Sequence, residues 1–129
     1  MALVIDLKPN EKVIVGNAVI TNDDKRTRLQ IDGDAPILRE KDVMQMDEAD
    51  SPCKRMYYII QGMYLANAEK ATEMYDEYFK SMRDIQDAAP STAEHFNSIN
   101  AFILSGHYYK ALKAAKDLIA YEEELLNNV

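Results

Sequence analysis

Cysteine is nearly absent from this chain. The 129 residues hold one, Cys53, which by itself excludes an internal disulfide and a zinc site and reads as a structural thiol. Histidine is almost as scarce. His95 and His107 fall in different turns, with no second histidine or cysteine at ligand spacing, so both read as surface or capping residues and no metal is expected. None of the four glycines belongs to a phosphate-cradling loop. No apolar run approaches the ~18–20 residues that span a bilayer, so no membrane association is expected. The opening Met1-Ala2-Leu3-Val4-Ile5-Asp6 lacks both a basic n-region and a long apolar stretch, unlike a signal peptide. A cytoplasmic protein is expected. Asp23-Asp24 and Glu122-Glu123-Glu124 fit a turn and a solvated helix face better than a cation site. With no catalytic constellation, the chain reads as a non-enzyme that needs no cofactor.

What is present is ordinary globular material. Hydrophobic residues make up 47%, and the length suits one compact domain. Net charge is −7 and unevenly placed. Residues 1–45 hold 7 basic and 8 acidic side chains, whereas residues 46–129 hold 8 and 14. A polyanionic partner would therefore meet a local basic face in the first third.

The first third alternates in the manner of short strands. Leu3, Ile5 and Leu7 share one face, and a turn at Lys8-Pro9-Asn10-Glu11 follows. Residues 13–15 and 18–21 flank Gly16-Asn17, a favourable two-residue hairpin connection. In residues 26–31, Thr27, Leu29 and Ile31 share one face while Arg26, Arg28 and Gln30 share the other. Residues 37–39 form a last short strand. The spacing predicts an antiparallel meander of four or five strands over residues 1–45. So small a sheet has few residues for a core. The helices, a second subunit, or both are expected to complete it.

Residues 46–129 read as helical after an acidic linker at 46–50. Ser51-Pro52 is an N-cap followed by proline at the first helical position. The helix over 53–65 presents Met56, Ile59, Ile60 and Met63, widened by Tyr57, Tyr58 and Tyr64. Gly62 points to a close contact or a nearby break. A second helix is expected over 67–88. Ser91-Thr92-Ala93-Glu94 matches a capping box for a third, about 92–104, presenting Phe96, Ile99, Ile103 and Leu104. After Ser105-Gly106 a final helix runs over about 107–127. Its Lys110, Lys113 and Lys116 precede Glu122, Glu123 and Glu124, the reverse of what a helix dipole favours. Those charges either form a solvated face or serve another segment or a partner. The fold class is α+β: an antiparallel β unit (1–45) followed by about four helices (46–129).

Two binding chemistries remain open. Arg26 and Arg28 project from one strand face and Arg39 and Lys41 follow another strand, with Lys8 and Lys12 beside the first turn. Arginine donates in pairs to phosphate and base edges, so these residues suit RNA; they could equally solubilise the sheet and pair with Asp32, Asp34 and Glu40. In the helical part, residues 101–112 carry the small-residue, Gly-Tyr and Ala-Leu spacing of a single tetratricopeptide-type hairpin. Tyr108, Tyr109 and Leu112, with Tyr57 and Tyr58, are candidates for receiving a protein partner.

Several ordered blocks resemble the FlbT family. They are Leu7-Lys8-Pro9-Asn10-Glu11-Lys12, residues 35–45 (Ala-Pro-Ile-Leu-Arg-Glu-Lys-Asp-Val-Met-Gln), Glu48-Ala49-Asp50-Ser51-Pro52, and residues 106–112 through 118–122. The resemblance implies post-transcriptional control of flagellin synthesis in α-proteobacteria. It implies action on the 5′ untranslated region of flagellin mRNA, commonly as a repressor, together with the protein FlaF. Residues 3–44 also resemble the small RNA-binding regulator CsrA in their strand order, Gly-Asn turn, arginine-bearing strand and Ala-Pro before the last strand. That likeness implies an intertwined homodimer in which Arg39 meets RNA beside the first strand, residues 3–7. Leu7 stands where CsrA-like proteins usually have a basic residue, and the Ala-Pro to Arg39 spacing is shorter.

Overall fold

The computed structural model describes residues 2–128, with the side chain of Ala2 left out. The fold is α+β, and the chain divides into two compact units, Met1–Val43 and Met44–Val129.

The first unit holds five short strands: β1 (Ala2–Leu7), β2 (Lys12–Val15), β3 (Ala18–Thr21), β4 (Thr27–Asp32) and β5 (Ile37–Arg39). The β2–β3 hairpin forms as its turn residues predict, with Val15 opposite Ala18 and Gly16 at φ 64°. That positive φ suits glycine, and the turn twist matches the strands it joins. The strands do not form a meander. They make two antiparallel sheets, β1 with β4 and β3-β2-β5. Sequential neighbours pair only at the hairpin because side-chain period decides the rest. The register Ile5 to Leu29 and Leu3 to Ile31 matches the apolar faces of β1 and β4. Ile5, Leu7 and Val13 form the buried centre, with Val15, Leu29, Ile31 and Ile37 packed against it. Arg26 lies just ahead of β4 rather than within it.

Leu38 of β5 is buried as well, and four buried side chains, at roughly 1.5–3 kcal/mol each, are few for a unit of this size. Leu3 and Val4 on β1 and Val19 and Ile20 on β3 stay exposed. β1 and β4 are both edge strands, and so is β3.

The second unit is helical: α1 (Pro52–Leu65), α2 (Ala68–Glu73), α3 (Tyr75–Ala88), α4 (Ala93–Leu104) and α5 (Tyr108–Asn127). Ser51 caps α1 by accepting from the Lys54 N–H, with Pro52 at the first position. The helix expected over 67–88 is interrupted at Met74. There the Met74 methyl lies over Gly62, where an added Cβ would sit 2.7 Å from it. Gly62 thus serves the close contact its presence in a helix suggests. The capping box at residues 91–94 does not form. Pro90 already starts a tight helical turn, the Ser91 hydroxyl accepts from Tyr121, and Thr92 bonds back to the Ala89 carbonyl at 2.7 Å. At the end of α4, Gly106 at φ 78° lets His107 N–H reach the Phe102 carbonyl and Gly106 N–H reach that of Ile103. This is the glycine-dependent helix stop.

Residues 44–50 are more ordered than a linker. Gln61 is buried and clamps the Met44 main chain, its Oε1 accepting at 2.8 Å and its Nε2 donating at 3.0 Å. Met56, Ile60, Met63, Tyr78, Phe96, Ile99, Ile103, Leu112, Ala115 and Leu118 fill the core, whereas Leu104 points to solvent. Tyr78 joins α3 to α4 by donating to Asn100 Oδ1 at 2.6 Å.

The reversed charge order of α5 has a structural use. Glu122 reaches the start of α1, accepting from the Ser51 hydroxyl and, at 3.0 Å, from the Cys53 N–H. A carboxylate there satisfies orphan amides and meets the positive end of the helix. Cys53 is buried beside it, and burial first, then Glu122, push its thiol from 9.0 up to about 12. Tyr78 is shifted upward by burial as well. Groups whose folded pKa is raised stabilise the fold below their unfolded value and lose that contribution as pH climbs toward the folded value. Native Cys53 is therefore expected to resist a disulfide reagent at pH 8 and react only on unfolding. Thermal melts should show stability falling above about pH 9, a fall that Cys53→Ala makes shallower. Rapid thiol titration of the native protein would contradict this.

Candidate nucleic-acid interface

Strand register gathers the basic residues of the first unit. β1 ends at Leu7 opposite Thr27, where β4 begins, so Lys8 and Arg26 leave the first sheet at the same end. In the second sheet, Lys12 pairs with Thr21 and Val13 with Arg39. The start of β2, the end of β3 and the end of β5 therefore share one end, with Lys41 in the turn that follows β5. The two connecting loops are zipped together. Asn10 N–H donates to the Asp23 carbonyl and Asn22 N–H to that of Glu11, both at 2.9 Å. The Asn22 amide donates to the carbonyls of Lys8 and Lys25 at 2.8 Å each. Asn10 takes a left-handed φ of 64°, a conformation asparagine tolerates.

Lys8, Lys12, Lys25, Arg26 and Lys41 are all exposed. Among the described residues, Lys12, Lys25, Arg26 and Lys41 make no salt bridge. Lys25 escapes a reading of strand faces because it sits in a turn; only the Asn22 clamp brings it to this end. Asp23 and Asp24 lie exposed in the same loop and offset part of the charge.

Two arginines converge on Asp6. Arg28, its register partner, places Nε 3.0 Å from Asp6 Oδ1. Those side chains are 73% and 63% exposed, so the pair contributes ~0–1 kcal/mol and opens readily to a competing phosphate. Arg39 is held differently. Its Nη2 donates to the Asp6 carbonyl at 2.7 Å and to the Glu11 carboxylate at 3.3 and 3.4 Å, with side chains 34% and 12% exposed. Its Nε is buried without a partner among the described residues. Arg39 therefore ties β5 to β1 and to the turn that carries Lys8.

In the helical unit the candidate partner residues separate by depth. Leu112 and Tyr57 are buried in the core. Tyr108 is half-buried, its hydroxyl 3.0 Å from that of Tyr75, and burial with Tyr75 pushes it up to about 12. Tyr109 is exposed, packs on Tyr64 with ring centroids 5.6 Å apart, and lies under Lys113. Tyr58 is half-buried at the unit's surface. Among the described residues no group of three or more His, Cys, Asp or Glu is placed to hold a metal ion. Among the same residues no helix is long and apolar enough to cross a membrane.

A family model described as flagellar protein FlbT matches residues 3–126. The chain belongs to the FlbT family. It is 48% identical over 126 residues to a probable flagellum biosynthesis repressor protein, FlbT 1, of Bradyrhizobium diazoefficiens, covering 97% of this chain and 85% of that protein. The FlbT of Rhodopseudomonas palustris, named in the same way, is 46% identical over 127 residues, covering 98% and 99%. The flagellum biosynthesis repressor protein FlbT of Caulobacter vibrioides is 34% identical over 131 residues, covering 100% and 92%. No solved structure matches the chain. These FlbT relatives are named for repression of flagellum biosynthesis.

Glu11 is the acidic pin of this end of the unit. The Lys8 N–H donating at 2.9 Å is the main cause of its lowered pKa, and Arg39 adds to it. A depressed carboxylate stabilises the fold above its ordinary value of 4.5 and loses that contribution as pH falls through the folded value. Glu11→Gln is expected to lower the melting temperature at pH 7 and to converge with the parent protein well below pH 4.5. Melts of equal midpoint at pH 7 would contradict the assignment.

Proposed function

We propose that this FlbT-family chain is a post-transcriptional regulator of flagellum biosynthesis. Its β unit binds the 5′ untranslated leader of flagellin mRNA and represses translation and message stability, and a FlaF-like protein modulates it through the helical unit. The observation that carries the proposal is the gathering of Lys8, Lys12, Lys25, Arg26, Arg28, Arg39 and Lys41 at one end of the first unit. Strand register and the Asn22 clamp bring these positions, spread from 8 to 41 in the chain, to that end. Lysines and Arg26 neutralise phosphates; Arg28 exchanges Asp6 for one. Arg39 holds β1 in place through Nη2, and its partly exposed guanidinium is the leading RNA contact. The family names of the relatives support the repressive sense.

A homodimer formed by the β unit belongs to this reading. The exposed Leu3, Val4, Val19 and Ile20 and the edge strands β1, β3 and β4 favour a second copy that covers what one copy leaves open.

A second reading, an adaptor that grips FlaF or flagellin without touching RNA, is favoured by one observation. The exposed Tyr109 with Tyr64 and Lys113 forms an aromatic-cationic patch on a unit that is otherwise acidic. The two readings separate in a titration of labelled flagellin leader RNA at several salt concentrations. Arg26→Ala combined with Arg28→Ala is expected to weaken binding about tenfold and to lower the salt slope by roughly 1–1.5, at ~0.7 per single-strand phosphate contact. Lys110→Ala with Lys113→Ala is expected to leave both unchanged. Unchanged affinity and slope for the arginine variant would defeat the RNA reading in favour of the adaptor.

A further inference from the structure

The helical unit carries a groove of about 980 Å³ that neither the RNA face nor the Tyr109 patch includes. Along one wall runs α3, which contributes Glu77, Ser81, Asp84, Ile85 and Ala88. These positions recur at helical spacing and cover about three turns, ~16 Å. Tyr58 and Ile59 of α1 and Leu125 and Leu126 of α5 supply the apolar lining opposite, with Met46 at the margin. Met46 and Leu126 are 74% and 65% exposed, two large apolar side chains held in water at the edge of one concavity. An exposed apolar concavity of this kind marks an interaction site.

Charge selects the occupant. Glu77 and Asp84 stand on the groove face of α3 without a salt bridge among the described residues. Among the described residues Arg55 is the one cation of the lining, and residues 46–129 carry 14 acidic against 8 basic side chains. Glu122 also lines the groove, but its two oxygens are already engaged at the start of α1. RNA and fatty-acid carboxylates would face uncompensated carboxylates here. A second copy is a poor fit as well. The lysine-bearing turns of α5 (Lys110, Lys113 and Lys116) sit on a helix whose apolar side, Ala111, Leu112, Ala115 and Leu118, is buried in its own core.

We infer that this groove receives an amphipathic helix of another protein, about three turns long, whose apolar stripe lies against Tyr58, Ile59, Ile85 and Leu125 and whose flanking Lys or Arg residues meet Glu77 and Asp84. Helix-in-groove recognition reads apolar anchors at i, i+3, i+4 and i+7, and the acidic rim sets orientation and raises the association rate. The inference stands whether or not the β unit binds RNA.

The test uses the full chain and a fluorescent synthetic peptide of ~16 residues with leucines at i, i+3, i+4 and i+7 and lysines on both flanks. Two control peptides are a scrambled order and a version with glutamate in place of lysine. Saturable one-to-one binding is expected for the lysine peptide, at least tenfold weaker for either control. Ser81→Trp fills the groove and should abolish binding. Asp84→Lys, at an exposed helix position, should weaken it several-fold while leaving the circular dichroism spectrum unchanged. No saturable binding overturns the proposal, as does equal affinity for the scrambled or glutamate peptide. So does binding unchanged in Asp84→Lys. If Ser81→Trp instead converts an oligomer to a monomer on sedimentation, or dodecanoate displaces the peptide at equal affinity, the occupant is a second copy or a lipid chain and the proposal fails.

Discussion

The first unit hinges on the bond from Arg39 Nη2 to the Asp6 carbonyl. β1 and β5 belong to different sheets, so no backbone ladder joins them. One guanidinium spans that gap and also engages Glu11, which in turn holds the Lys8 N–H. The 2.7 Å bond to the Asp6 carbonyl, in a half-buried setting, is firmer than the solvent-exposed Arg28–Asp6 pair beside it. Ile5, Leu7 and Val13 make one small apolar cluster, with Leu38 buried as well, so the guanidinium carries a large share in setting the relation between the sheets. The arginine is accordingly a tie within the fold before it is anything for a ligand.

That tie shapes the proposed RNA face. Loops 8–11 and 22–26 hang from the strands it fixes, and Asn22 closes them against each other. Lysine and arginine side chains far apart in the chain therefore share one end, with Arg28 held loosely enough to exchange partners. The helical unit differs in kind. It has a closed core, acidic surfaces and an open groove, which suits protein contact rather than polyanion contact. The proposed function divides its two tasks between a nearly neutral unit with a local basic end and a strongly acidic one.

The parts of this structure that local chemistry decides were legible in the residues. Ser51-Pro52 starts α1, Gly16-Asn17 turns the hairpin, Gly106 stops α4, and Gly62 marks a tight contact, each for a reason confined to a few neighbouring positions. What depended on distant partners was not. Adjacency suggests a meander, yet matching apolar faces pair β1 with β4. Ser91 looks like a cap until Tyr121 takes its hydroxyl. Leu112 and Tyr57 fit a binding stripe by period, but the same period describes a core, and burial puts them there. The acidic run of α5 hinted at a use elsewhere in the chain, and Glu122 supplies it at α1. Lys25 and the α3 groove gave no local signal at all.

The central claim is that the first unit is the RNA-contacting part of the molecule. Ultraviolet cross-linking of the full chain to flagellin leader RNA, with the cross-linked peptides identified by mass spectrometry, tests it most directly. The account predicts cross-links within residues 1–43, concentrated around residues 8–12, 25–28 and 39–41, and suppressed by competing unlabelled leader. Cross-links confined to residues 44–129, or none above those of an unrelated transcript, would contradict it.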